Sequence, residues 1–294
     1  MTLIDLITAQ CARLKQAGVS FGHGTTNAFD ESAWLVLWAL GLPLDALEAK
    51  ANKELVPDEL AKAEALVTQR IETRRPAAYL THEAWLQNVP FYVDERTIVP
   101  RSFIAELLAD GEAAGTLDAW LSDTTHSVLD LCTGNGSLAV IAALAYPEVT
   151  VDAADISEDA LAVARINVDK HTLGKRITVM TSDLLASVRG PYDLIVCNPP
   201  YVNSQSMQAL PAEYRAEPTL ALAGGDDGMD LIRTIVREAP AHLAPEGVLV
   251  LEIGNERAHF EHAFRRLEVA WLETSAGADQ VLLVTRDALA RWAR

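Results

Sequence analysis

At 294 residues, half of them apolar, the chain can bury the core of one ordinary α/β domain plus a smaller attachment, and is too apolar for disorder. Its formal charge of −17 repels nucleic-acid phosphates and favours a basic partner, so direct nucleic-acid binding is disfavoured. Three scattered cysteines, no unbroken apolar span and no basic leader predict a soluble cytoplasmic protein with no disulfide framework and no membrane association.

Leu3, Leu6, Ile7 and Leu14 recur at helical spacing, and Gly18 ends that helix. After a loop at Phe21-Gly22-His23-Gly24, Asn27 or Asp30 caps a second helix holding Trp34, Leu35, Leu37 and Trp38. A short helix begins at Leu44. Pro57 then opens a helix to Thr73, with acids early and Arg70 late to suit its dipole. These elements predict a helical domain over residues 1–75. From Pro76 the pattern changes: Trp85, Val89, Phe91, Val93, Ile98 and Val99 fall in two apolar stretches separated by Asp94-Glu95-Arg96. They read as a β-hairpin in a linker over 76–100, leaving 101–294 for the larger domain. A helix follows from Ile104, with a second short one around Leu117 to Leu121.

Ser127–Leu131 is a strand, followed by Cys132-Thr133-Gly134-Asn135-Gly136 and an apolar helix from Ser137 to Ala145. Strand, glycine turn and helix N-terminus form a cradle that brings backbone close to a ligand. The third glycine of the dinucleotide pattern is missing, which weighs against NAD. The next strand ends at Asp155, 25 residues after Asp130 and near the spacing for an acid that binds ribose hydroxyls. Ser157 caps the following helix, and Asp183 follows the third strand, Ile177–Met180. Acids placed repeatedly at strand ends suit an organic cofactor bearing hydroxyls and amines, and no His/Cys/Asp cluster supports a metal.

Asp193 to Cys197 reads as a buried parallel strand, stopped at Asn198 because Pro199 and Pro200 lack the amide hydrogens of a ladder. Asn198 therefore stands at the carboxyl edge of the sheet, where open α/β sheets bind ligands. Val202 to Gly228 reads as a long structureless connection, of the kind that forms lids or binding loops. A helix from Met229, a strand over Gly247–Glu252, a helix from Glu256 and strands at Val269–Leu272 and Gln280–Val284 complete the chain.

Asn-Pro-Pro-Tyr at 198–201, the turn beginning at Asp130, Pro100-Arg101 and the segment from Glu217 to Gly228 together resemble the bacterial protein-(glutamine-N5) methyltransferase family. The resemblance covers nearly the whole chain. It departs where Cys132 replaces the first glycine of an Asp-x-Gly-x-Gly-x-Gly turn, which matters only if that position needs a positive φ. The resemblance implies a Rossmann-like α/β fold, a seven-stranded sheet whose last strand runs antiparallel between the fifth and sixth. A small helical domain that recognises substrate and a β-hairpin linker precede it. It implies S-adenosyl-L-methionine as cofactor, bound by Asp130, Cys132, Thr133, Gly134, Gly136, Asp155, Asp183 and Asn198. Asn198, Pro199 and Tyr201 would carry catalysis, joined by Pro200 and Arg101 in substrate binding. Asn167 would take a packing role. The Phe21–Gly24 loop and the Asp-Leu-Cys-Thr-Gly turn resemble members acting on large-subunit ribosomal protein three, a basic protein suited to an acidic enzyme. Members acting on the Gly-Gly-Gln loop of peptide release factors, a DNA amino-methyltransferase and a non-catalytic cofactor-binding interaction protein are the alternatives.

Overall fold

The computed structural model describes residues 1–109, 117, 119–121 and 124–293. Helices α1 (Leu3–Gln16), α2 (Ala28–Ala39), α3 (Leu47–Lys50) and α4 (Pro57–Thr73) form the N-terminal region, extended by α5 (Ala77–Thr81). Side-chain oxygens of Thr2 and Asn27 cap α1 and α2, and Pro57 opens α4 where no amide donor is needed. The helices bury Leu3, Leu6, Leu35 and Val67 in two small cores, one of which draws in Tyr79, Val93 and Val99 from beyond residue 75.

Strands β1 (Ala84–Leu86) and β2 (Val89–Phe91) make the hairpin, but its turn is Gln87-Asn88 and not Asp94-Glu95-Arg96. Both turn residues have positive φ, the two-residue geometry that matches strand twist. Asp94 instead folds back on Arg96, accepting its amide at 3.1 Å and its guanidinium at 2.6 Å, which makes a corner where the sequence suggested a hairpin tip. Helix α6 (Ile104–Leu108) follows. The short helix expected around Leu117 to Leu121 includes Asp118, outside the described residues; Trp120 and Leu121 both donate to the Leu117 carbonyl.

The remaining chain alternates β3 (Ser127–Leu131), α7 (Ser137–Ala145), β4 (Thr150–Asp155), α8 (Glu158–Lys170), β5 (Ile177–Thr181) and β6 (Tyr192–Cys197). After α9 (Ser204–Ala209) and α10 (Ala212–Arg215) come α11 (Asp230–His242), β7 (Leu243–Glu252), α12 (Arg257–Ala263), β8 (Ala270–Thr274), β9 (Gly277–Thr285) and α13 (Arg286–Trp292). The seven-stranded sheet has the order β5-β4-β3-β6-β7-β9-β8, with β9 antiparallel to both neighbours and the first five strands parallel. Alternate residues of β3 and β6 feed two apolar clusters, Val128 and Val196 in one, Leu129 and Ile195 in the other, so both faces are covered. Strand order reverses between β3 and β6, whose ends are in register at Leu131 and Cys197. That switch point opens the crevice where ligands bind.

A further expectation changes here. Residues 202–228 are not structureless: they hold α9, α10 and a 3₁₀ turn at Thr219–Ala221. Arg70 stands in the last turn of α4 as expected and is fully buried there, its Nε 2.8 Å from Glu31 and its Nη1 3.3 Å from Glu213 of the later segment. Among the described residues, no single helix is long and apolar enough to cross a membrane.

Candidate active site

Asp130, at the end of β3, is fully buried, and its Oδ2 accepts the Thr133 hydroxyl at 2.5 Å and the Ala139 amide at 2.9 Å. It thereby staples the glycine turn to the first turn of α7. Burial pushes this carboxyl up to about 7. Cys132 has φ 60°, followed by Gly134 at 56° and Gly136 at 81°. The position where the family pattern has a glycine therefore does need left-handed backbone, and a cysteine occupies it at a steric cost. The turn holds nonetheless. The Thr133 amide donates to the Ala154 carbonyl at 3.0 Å, and the Gly134 amide to Asp155 Oδ2 at 2.9 Å. Gly136 lies against Ala164, where a Cβ would come within 3.2 Å, so it sets the approach of α7 to α8.

Asp155 accepts the Ser157 amide at 2.9 Å on its other oxygen, and Ser157 caps α8 as the sequence suggested. Burial raises the Asp155 carboxyl despite its amide donors. Asn167 is fully buried, exchanging hydrogen bonds with the Tyr92 backbone and donating to the Asn135 carbonyl at 2.8 Å. It ties the hairpin to the glycine turn.

A cleft of about 820 Å³, open to solvent, runs along the carboxyl ends of β3, β4 and β6. Cys132, Gly134, Asp155, Asp183, Asn198 and Pro200 line it. Asp130, Thr133, Gly136, Pro199, Tyr201 and Arg101 do not: the first three shape the turn from behind, and Pro199 is buried. The Tyr201 hydroxyl donates to Glu252 at 3.2 Å. Arg101 is engaged internally, donating two hydrogen bonds to Glu217 at 2.6 and 2.7 Å and one to the Val99 carbonyl at 3.0 Å. Glu217 also accepts the Val99 amide and stands 3.5 Å from His23 Nε2. Burial alone would raise its carboxyl, but Arg101 and His23 hold it down to about 2.

Ile156 and Leu220, the first on the sheet edge and the second on the segment after Tyr201, keep 52% and 61% of their surface exposed and both line this cleft. Exposed apolar side chains facing a crevice with two carboxylates suit a flat nucleoside with polar ends. Asp130 Oδ1, buried without a hydrogen-bond partner among the described residues, adds an acceptor behind the turn. The residues present fit S-adenosylmethionine. Reading the sequence missed Ile156, Leu220, Glu217 and Glu252. A large apolar residue directly after a strand-end acid is a signal that points to Ile156. Nothing local marks the two glutamates, whose partners lie 51 or more residues away.

A parallel sheet with an antiparallel last strand, a glycine turn beside its switch point and a strand-end Asn-Pro-Pro-Tyr define an S-adenosylmethionine-binding methyltransferase fold. The catalytic domain of hMettl16 superposes with a TM-score of 0.51 at 13% identity, over 77% of this chain and 80% of that one, a likeness of fold alone. The methyltransferase small domain family matches residues 113–213. A protein of Burkholderia pseudomallei named ribosomal protein uL3 glutamine methyltransferase is 52% identical over 293 residues, covering 96% of this chain and 94% of that protein. A protein of Neisseria meningitidis serogroup B with the same name is 47% identical over 98% of this chain and 94% of its own length. The chain belongs to the ribosomal protein uL3 glutamine methyltransferase family.

Proposed function

We infer that the chain transfers a methyl group from S-adenosylmethionine to the side-chain nitrogen of a glutamine in ribosomal protein uL3. The observation that carries this reading is Asn198, held at the end of β6 by two prolines, lining the cleft beside the glycine turn. S-adenosylmethionine, when bound, supplies an electrophilic methyl group. An amide nitrogen is a poor nucleophile because its lone pair is delocalised into the carbonyl. The Asn198 side-chain oxygen and the Pro199 carbonyl accept its two N–H bonds, turn the lone pair toward the methyl group, and stabilise the positive charge that grows on nitrogen. These contacts strengthen in the transition state, so they raise turnover more than they tighten binding. No base has to act first, because a proton leaves to water after transfer.

Asp155 and Asp183 take the ribose hydroxyls and the adenine amine, with Ile156 and Leu220 covering the ring. Gly134 and Cys132 bring backbone close to the amino-acid end. Pro200 walls the substrate side and Tyr201 packs beside the amide, while Arg101 supports this mouth through Glu217. The helical region over 1–75 recognises the protein substrate, and 101–294 carries the chemistry in the cytoplasm. The near-full-length likeness to relatives bearing the uL3 name supports the substrate, as does an acidic charge suited to a basic protein. Transfer of labelled methyl to unmethylated uL3, lost in Asn198→Ala with the fold intact, tests the reading.

A further inference from the structure

Glu252 ends β7 with only 2% of its surface exposed, on the strand next to the one that delivers Asn198. Burying a carboxylate is costly unless donors converge on it, and an apolar side chain would fill the same space more cheaply. The donors are present and they divide the two oxygens between them. Oε2 accepts the Ser102 hydroxyl at 2.6 Å and the Phe103 amide at 2.9 Å, which fixes Glu252 to the chain just after Arg101. Oε1 accepts the Tyr201 hydroxyl at 3.2 Å. One oxygen anchors the carboxylate; the other grips the tyrosine.

The rest of the surroundings hold the same residue. Gly254, at φ 53°, has its missing side chain against the Tyr201 ring, where a Cβ would overlap Cε2. A Cβ on Gly224 would come within 2.6 Å of the Tyr201 Cα, and one on Gly228 would overlap its carbonyl oxygen. Three glycines and a buried acid leave Tyr201 one position. We propose that Glu252 is a positioning residue for methyl transfer: through the Tyr201 hydroxyl it sets the ring that packs against the substrate amide, and so the alignment of that amide on Asn198. The inference rests on the role given to Tyr201 above.

The test uses the full chain and four variants: Glu252→Gln, Tyr201→Phe, the two combined, and Ser102→Ala. In Glu252→Gln the amide oxygen stays with Ser102 and Phe103, and the new NH₂ can only donate to the Tyr201 hydroxyl, so the charged acceptor is lost and the bond reverses. Each single change at Glu252 or Tyr201 is expected to lower kcat about tenfold, the loss of one hydrogen bond to a charged acceptor. The double variant should lose no more than either single one, with KM for the protein substrate and cofactor affinity held within about twofold. Ser102→Ala leaves Oε1 in place and should lower Tm with kcat within about twofold of the parent. Losses that multiply to about a hundredfold in the double variant, or a change in KM with kcat intact, would overturn the proposal. Should the parent label neither uL3 nor a release factor, the activity itself is misassigned. The thermal-unfolding cycle over the same variants then decides the contact: coupled losses uphold it, and additive losses overturn it.

Discussion

Asn198 is asked to do the chemistry with one oxygen, so removing that oxygen should cost turnover and little else. Asn198→Ala is predicted to lower kcat on the order of a hundredfold, the scale seen when one oriented group for developing charge is lost. Circular dichroism should be unchanged. Asp155, proposed above to bind the cofactor, also holds the turn through the Gly134 and Ser157 amides. Asp155→Asn should weaken S-adenosylmethionine binding about tenfold or more in a calorimetric titration, because a carboxylate is replaced by an amide with half its acceptor capacity. Cys132 stores strain at φ 60°. Cys132→Gly should keep Tm or raise it. Cys132→Val, β-branched at a position hostile to such side chains, should cost about 1–2 kcal/mol in denaturant unfolding.

The segment between β6 and α11 works as a clasp. Glu213 and Glu217 enter from it and are buried against Arg70, Arg74 and Arg101, while Pro218, Leu220 and Ala221 line the cleft. Glu217→Gln leaves Arg101 with much less compensation and should cost about 3 kcal/mol, the scale for breaking one side of a buried pair. Its folded carboxyl lies near 2 against an ordinary 4.5. The unfolded chain therefore takes up a proton that the folded chain refuses over that interval. Stability from Glu217 is full above pH 4.5 and drains away as pH falls toward 2, so a Tm profile should steepen there and flatten in Glu217→Gln. At this scale the strands from β3 to β9 and the helices α1, α4 and α7 were legible in the sequence. Each has a full apolar period bounded by glycine, proline or a capping residue. The elements that were not legible are short. Helix α5 has five residues, and α9 and α10 have six and four, too few for a period to show. Gln87-Asn88 lacks the Asn-Gly signal of its turn type. At the site, Asn198, Asp155 and Asp183 lie where the sequence placed them, because strand ends fix them locally. The Arg101 guanidinium and the Tyr201 hydroxyl are held by Glu217 and Glu252, and contacts across 116 and 51 residues leave no local pattern.

Over the whole molecule the charge is uneven. Residues 1–75 carry ten acids and eight bases, so nearly all of the net −17 belongs to the chain beyond them. On the proposed division of labour, recognition by the helical region would rest on shape and apolar contact, while the larger domain would supply the field that draws in a basic protein. Raising salt from 50 to 300 mM should lower the association rate with uL3 several-fold or more, and change dissociation far less. A stopped-flow titration over that range checks the slope. The claim on which all of this depends is glutamine methylation of uL3. The most direct measurement incubates the full chain and labelled S-adenosylmethionine with unmethylated uL3, a release factor and DNA in separate reactions, followed by peptide mapping of the product. The account predicts label on a glutamine of uL3 and on neither of the others. Label on the release factor or on DNA with uL3 blank would contradict it.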